Sequence, residues 1–182
     1  MELVKLTHDN IEQEHICCAI SNNKDIQVIS KKNWLKDRLD EGLVFLKYNV
    51  RGKCFIEYIP AESAWIPIRA EGYMYIDCLW VSGQFKGHGY SNVLLEQCIK
   101  DSRKEGKKGL VILSSKKKMG FLSDPVYMAY KGFQSVHIRT REDAQNAPSA
   151  FTTFSLFHDG QLVTHEILSE KKFDKILADK GL

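Results

Sequence analysis

Residues 73–104 constrain the fold of this 182-residue chain more than any other stretch. Tyr73–Val81 (YMYIDCLWV) is almost continuously apolar apart from Asp77, the pattern of a strand covered on both faces. From about Tyr90 to Lys104 the apolar residues Leu94, Leu95, Cys98 and Ile99 recur at helical spacing, and Gly106 is placed to end that helix. Between strand and helix runs Ser82-Gly83-Gln84-Phe85-Lys86-Gly87-His88-Gly89. A strand that turns through glycines into a helix aims backbone N–H groups from the positive end of the helix, where a pyrophosphate can sit. Gly87 and Gly89 remove the Cβ atoms that would hold such an anion away, and Lys86 adds a cation. A tight strand-to-helix connection with no ligand uses the same glycines, and G-x-G alone does not choose between the two. Two common phosphate motifs are excluded. No G-x-x-x-x-G-K-[ST] occurs, and Asn92 stands where the third glycine of a dinucleotide fingerprint belongs.

The flanking periodicities complete an α/β pattern. Ile11, Ile16, Ala19 and Ile20 predict a helix over 8–21, capped by Thr7 or Asp9. A second helix over 31–41 would start at Ser30, bury Trp34, Leu35 and Leu39, and stop at Gly42. Leu43–Asn49 and Lys53–Ile59 flank Val50-Arg51-Gly52 as a hairpin, and Pro60–Gly72 reads as a loop with a short extended piece at Trp65–Ile68. Gly109–Leu113 is a further strand, and Pro125 at a helix start predicts a helix over 125–131 ended by Gly132. Strands are expected at 134–139, 151–157 and 161–168, the last two joined by Asp159-Gly160, before a helix over 169–179 capped by Ser169. The order ααβββαβαβββα describes an α/β (α+β) domain on a mixed, mostly antiparallel sheet.

Bulk properties narrow the partners. A formal charge of +3, from 26 Lys and Arg against 23 Asp and Glu, asks for neither nucleic acid nor a membrane surface. No stretch approaches the ~20 apolar residues of a membrane span. Five cysteines without a CxxC pair, and no secretory leader pattern at the start, point to a reduced, cytoplasmic setting. The six histidines lack metal-ligand spacing, so no metal is expected.

Gln84-Phe85-Lys86-Gly87-His88-Gly89 matches the Q/R-x-x-G-x-G/A signature of the GNAT superfamily of N-acetyltransferases, which this sequence resembles over about residues 1–140. Ile76–Val81 is similar to that family's fourth strand, and Tyr127–Phe133 to its Tyr-containing helix closing on Gly-Phe. The resemblance implies a twisted sheet splayed at a cofactor cleft, with helices on both faces. It implies acetyl-coenzyme A as co-substrate, with main-chain groups of Leu79, Trp80 and Val81 pairing with the pantetheine arm. The N–H groups of Lys86, Gly87, His88, Gly89, Tyr90 and Ser91 would then hold the pyrophosphate. It implies a primary amine acceptor, small molecule or peptide, that takes the acetyl group by direct transfer; a homodimer is the assembly to look for.

Acetyl transfer needs a deprotonated amine and a proton for the leaving thiolate. Tyr127 is the candidate acid, although the family's tyrosine stands four residues before the glycine, where this chain has Met128. Asp77 is the candidate base, with Glu71 a weaker one, because a carboxylate in an apolar strand marks a cleft or an exposed face. Strand alternation would turn Cys78 away from Asp77 into the core. Lys116-Lys117-Lys118 is either a solvated loop or a cation patch for the adenosine phosphates.

Residues 141–182 go beyond the family's minimal domain. Ala147-Pro148-Ser149, a strand pair turning at Asp159-Gly160 and a last helix look like the second half of thioredoxin, without its CxxC and with Pro148 a candidate cis residue. Three functions compete at this level: an amine N-acetyltransferase, a non-catalytic acyl-CoA-binding or sensing module that keeps the glycine turn, and an interaction adaptor resting on this ββα extension.

Overall fold

A computed structural model describes residues 1–16, 22–112, 139–147, 156–159, 161–164 and 168–181. These fall into two compact units, 1–64 with 69–113 and 65–68 with 114–182.

The first unit is built on a five-stranded sheet in the order β1 (Leu3–Lys5), β2 (Val44–Tyr48), β3 (Cys54–Pro60), β4 (Tyr73–Val81), β5 (Gly109–Ile112). The first four strands are antiparallel, and β5 joins β4 in parallel through Tyr73↔Gly109 to Ile76↔Ile112. The sheet is therefore mixed and mostly antiparallel, as the residue pattern implies. β1 was not apparent in the sequence; at three residues it is too short to show a period.

Helix α1 (Ile26–Asp40) starts five residues earlier than expected, because Asp25, not Ser30, caps it: Gln27 N–H donates to Asp25 Oδ1 at 2.8 Å. It ends as expected, with Gly42 in a left-handed conformation (φ +91°) just past the cap. Leu35 is fully buried on it. The helix expected over 8–21 is not formed in its described part, where residues 8–14 make turns. Asn10 explains this: its Oδ1 accepts from Thr7 N–H and its Nδ2 donates to the Lys5 carbonyl, offering the backbone an alternative to helical bonds. Ile11 and Ile16 are buried all the same.

Helix α2 (Tyr90–Lys104) packs Leu94 and Cys98 against Ile56, Tyr58, Met74 and Ile76 on one face of the sheet. Tyr58 anchors it, its hydroxyl donating to Asp101 Oδ2 at 2.5 Å while Gln97 donates to Oδ1. The alternate residues of β3 face the other way, and there Lys31 of α1 reaches Glu57. Helices thus lie on both faces. Phe45 and Phe55 stack at 4.9 Å between ring centroids on that second face.

In the second unit a helix α3 (Arg141–Gln145), absent from the sequence reading, is closed by a capping box between Thr140 and Asp143. Strands β6 (Leu156–His158) and β7 (Gln161–Thr164) pair antiparallel, with Asp159 at φ +49° in the turn. Helix α4 (Glu170–Lys180) starts from Ser169 as expected and buries Phe173 against Leu156 and Leu168. The helix expected over 125–131, the strand over 134–139, most of that over 151–157 and any isomer of Pro148 lie outside the described residues.

Candidate active site

The connection from β4 to α2 is bent by three glycines in the left-handed region, Gly83 (φ +57°), Gly87 (φ +80°) and Gly89 (φ +75°). Gly83–Phe85 makes a short 3-10 turn. The turn is held to the β2–β3 hairpin at two points. Ser82 N–H donates to the Lys53 carbonyl at 2.9 Å, and the Phe85 ring lies so close over Gly52 that a Cβ there would approach it to 2.7 Å. Phe85 and Gly52 are thus supports that the sequence reading passed over.

Gly89 is the N-cap of α2 and offers no side chain to the helix end, and the first turn carries no acidic residue. Asn92 and Val93 N–H groups bond to the Gly89 carbonyl. Among the described residues the N–H groups of Gly87, His88, Gly89, Tyr90 and Ser91 meet no acceptor. Helix ends normally find partners for such donors, since each carries partial positive charge. Four of these residues, Gly87, Gly89, Tyr90 and Ser91, line an open cavity of about 300 Å³ together with Leu79, Val81, Phe85 and Lys86. A Cβ on Gly87 or Gly89 would meet nothing within 4 Å, so the space above both is empty rather than packed. This donor set fits a pyrophosphate: several convergent N–H groups, a helix positive end, Lys86 nearby and no carboxylate in the first turn.

Of the nine residues expected to bind the cofactor, seven line this cavity. Trp80 and His88 do not. The Trp80 ring is covered by Lys53, whose Nζ stands 4.1 Å from its centroid, and His88 leans on Tyr90, which packs in turn on Tyr48. Strand β4 pairs with β5 only as far as Ile76, and among the described residues 78–81 pair with β3 alone. Among the described residues, the β4 edge at Leu79–Val81, next to the cavity, pairs with no further strand and can take a strand-like ligand.

Asp77 occupies a β-bulge. Glu57 pairs with Cys78 and Tyr58 with Ile76, so Asp77 is the extra residue, and it is exposed. The bulge breaks the alternation: Ile76 and Leu79 both pack toward α2, leaving Asp77 and Cys78 together on the other face. The expectation that Cys78 turns away from Asp77 into the core is corrected here, since Cys78 is only half-buried. Beside Asp77 lies a group the sequence reading missed. Glu57 is 2% exposed, and Lys31 Nζ donates to both its oxygens, at 2.9 and 3.1 Å. The Lys31 ammonium also stands 4.9 Å from the Trp34 ring centroid. Burial pushes the Glu57 carboxyl above the usual carboxylate range, with Asp77 adding to the rise and Lys31 opposing it. Burial and Asp77 likewise push the Tyr75 hydroxyl upward. A signal for Glu57 existed: it is the one carboxylate in the run Cys54–Pro60, as Asp77 is in β4.

Glu71 is not brought to this site. It precedes β4 at the end away from the glycine turn, about 30 Å along the strand. Tyr127 and Lys116–Lys118 lie outside the described residues. Among the described residues no cluster of His, Cys, Asp or Glu is arranged to hold a metal ion, and no helix is long and apolar enough to cross a membrane.

Comparison with known proteins places this geometry. The family model of the acetyltransferase (GNAT) family matches residues 8–123, and a YoaP-like model matches residues 133–175. YoaP of Bacillus subtilis (strain 168), described as an uncharacterized N-acetyltransferase, is 35% identical over 244 aligned positions covering 96% of this chain and 97% of YoaP. The alignment is longer than the chain, so YoaP carries residues that face gaps here. Among solved structures, a Trypanosoma brucei acetyltransferase is 16% identical at a TM-score of 0.45, over 76% of this chain and 96% of its own. A GCN5-related N-acetyltransferase of Ralstonia eutropha JMP134 is also 16% identical, at a TM-score of 0.42, over 76% of this chain and 95% of its own. The weight rests on the sequence matches, one spanning well over half of the chain and one nearly all of it: this protein belongs to the GNAT acetyltransferase family, and its chemistry is acyl transfer.

Proposed function

We propose that the cavity at the start of α2 holds the pyrophosphate of acetyl-coenzyme A, and that the acetyl group passes directly to a primary amine. The observation that carries this reading is the run of five consecutive N–H groups, Gly87 to Ser91, that meet no acceptor among the described residues, beside an open cavity that four of the five residues line. In this reading those five residues and the Lys86 ammonium take the diphosphate; the Lys86 N–H, expected to join them, donates instead to the Gly83 carbonyl at 3.2 Å. Main-chain groups of Leu79, Trp80 and Val81 take the pantetheine arm along the open β4 edge, which points its far end at the bulge. The coenzyme supplies an activated acyl group and a good leaving thiol. Asp77 at the bulge accepts a proton from the acceptor ammonium, directly or through a water, and Tyr127 gives one to the departing sulfur.

A second reading, an acyl-CoA-binding or sensing module without turnover, is favoured by Tyr127 standing five residues before Gly132 instead of four. One residue turns a helical side chain by ~100°. Thiol release from acetyl-CoA with a panel of primary amines, alongside calorimetric binding, separates the two. The transferase reading expects amine-dependent release; tight binding with no release from any amine supports the sensor.

The acceptor in this proposal is a small-molecule or peptide amine, and neither nucleic acid nor a membrane is a partner. A cytoplasmic setting is part of this reading, in keeping with five cysteines that contain no CxxC pair. Residues 1–140 are read as the transferase domain, and 141–182 as a structural extension resembling the second half of thioredoxin, with β6, β7 and α4 as its ββα unit. Sedimentation of the full chain tests the homodimer included in this reading.

A further inference from the structure

We propose that Lys31 is itself an acetyl acceptor, the site at which this enzyme modifies its own chain. The inference rests on the placement of acetyl-CoA above, and on geometry within the first unit. The arm that follows Val81 to Leu79 away from the pyrophosphate ends at the bulge of Asp77 and Cys78. Cys78 is the cross-strand partner of Glu57, and Glu57 holds the Lys31 ammonium through both carboxylate oxygens. A primary amine and a buried carboxylate therefore wait together on the far side of β4 from the added arm, two strand spacings away, roughly 10 Å in the sheet. Lys31 is not sealed in: its side chain is 28% exposed, against 2% for Glu57. It extends from α1, whose Trp34 ring flanks the ammonium.

The charge environment favours the product. The groups facing Glu57 are Lys31 from α1 and Asp77 and Tyr75 from β4. Two carboxylates share one cation there, and a fully buried carboxylate is stable only while paired. Acetylation removes both charges at once. Lys31 Nζ gives one proton to Glu57 and attacks the acetyl carbonyl carbon. The C–N bond forms, the C–S bond breaks, and a second proton leaves with the sulfur as free thiol. The ion pair becomes a neutral amide beside a neutral carboxylic acid, with the total charge conserved. Burial and Asp77 already push Glu57 toward its protonated form.

The test uses the full chain with acetyl-CoA, followed by peptide mass spectrometry over time, with desulfo-coenzyme A as a competitor that fills the cavity without a thioester. Lys31 should gain acetyl at least ~10-fold faster than the other lysines, because its ammonium is held opposite the bulge where the arm ends. Desulfo-coenzyme A should suppress that gain and leave slow chemical acetylation elsewhere unchanged. A second readout needs no turnover. Labelling of lysines with a water-soluble amine reagent should show Lys31 protected when desulfo-coenzyme A is bound. Glu57→Gln should slow Lys31 acetylation while coenzyme binding, measured by calorimetry, persists; the wild-type competition and labelling stand without this variant. If Lys31 gains acetyl no faster than other lysines, or is labelled equally with and without bound desulfo-coenzyme A, the proposal is wrong. If desulfo-coenzyme A does not bind at all, it is the placement of acetyl-CoA that fails.

Discussion

Gly87→Ala separates the two jobs of the glycine turn, its backbone conformation and its empty space. At φ +80° an alanine carries the strain of the left-handed region, roughly 1–2 kcal/mol. The new methyl meets no atom within 4 Å, so no steric term adds to that strain. The expected loss of melting temperature is therefore small, about 2–4 °C per kcal/mol for a chain of this size. Ligand affinity should suffer much more. The methyl projects beside N–H groups that have no acceptor among the described residues, and it occupies space that anion oxygens would use. Losing two charge-assisted hydrogen bonds at roughly 1.5–3 kcal/mol each removes about 3 kcal/mol or more. That corresponds to a rise in Kd of about two orders of magnitude. Calorimetric titration with acetyl-CoA and thermal unfolding on the same preparations read both numbers. A variant that melts slightly lower yet binds acetyl-CoA within about threefold of wild type would refute this reasoning.

Tyr127→Phe is expected to lower kcat by ~100-fold while leaving the acetyl-CoA Kd unchanged, as removal of a general acid does; stopped-time thiol release checks it, and unchanged turnover moves the acid elsewhere. Tyr58→Phe removes the hydroxyl that donates to Asp101, which should cost about 2 kcal/mol in urea unfolding while acetyl-CoA binding stays as in wild type. Burial, then Asp101, pushes the Cys98 thiol from 9.0 up to about 12. The unfolded chain ionises first, so this stabilisation is complete below about 9 and is lost as pH rises toward 12. Urea midpoints should fall across that window, and fall less in Cys98→Ala.

Where backbone chemistry decides the local conformation, the sequence was a good guide. Glycine tolerates positive φ, so the bends at 87 and 89, the start of α2 at Tyr90 and the stop past Lys104 could be placed from residues alone. The Ser169 cap and the Asp159 turn followed from equally local preferences. Where one side chain overrides its neighbours, reading failed: Asn10 turns an amphipathic pattern at 8–14 into tight turns, and Asp25 captures a helix start that Ser30 also fits. The bulge at Asp77 was hidden because it arises from register against β3 and not from its own strand. The Lys31–Glu57 pair joins residues 26 apart across helix and sheet, and no local period announces it. Glu57 also sits in a run so apolar that it reads as a core strand with one odd residue, and only the fold shows which cation answers it.

The central claim is that unpartnered amides at the head of α2 grip a diphosphate. Backbone amide NMR during titration with coenzyme A tests it most directly. The account predicts that the largest shifts fall on the N–H signals of Gly87, His88, Gly89, Tyr90 and Ser91, with smaller ones along Leu79–Val81. Saturable binding that leaves those five amides unmoved would contradict it.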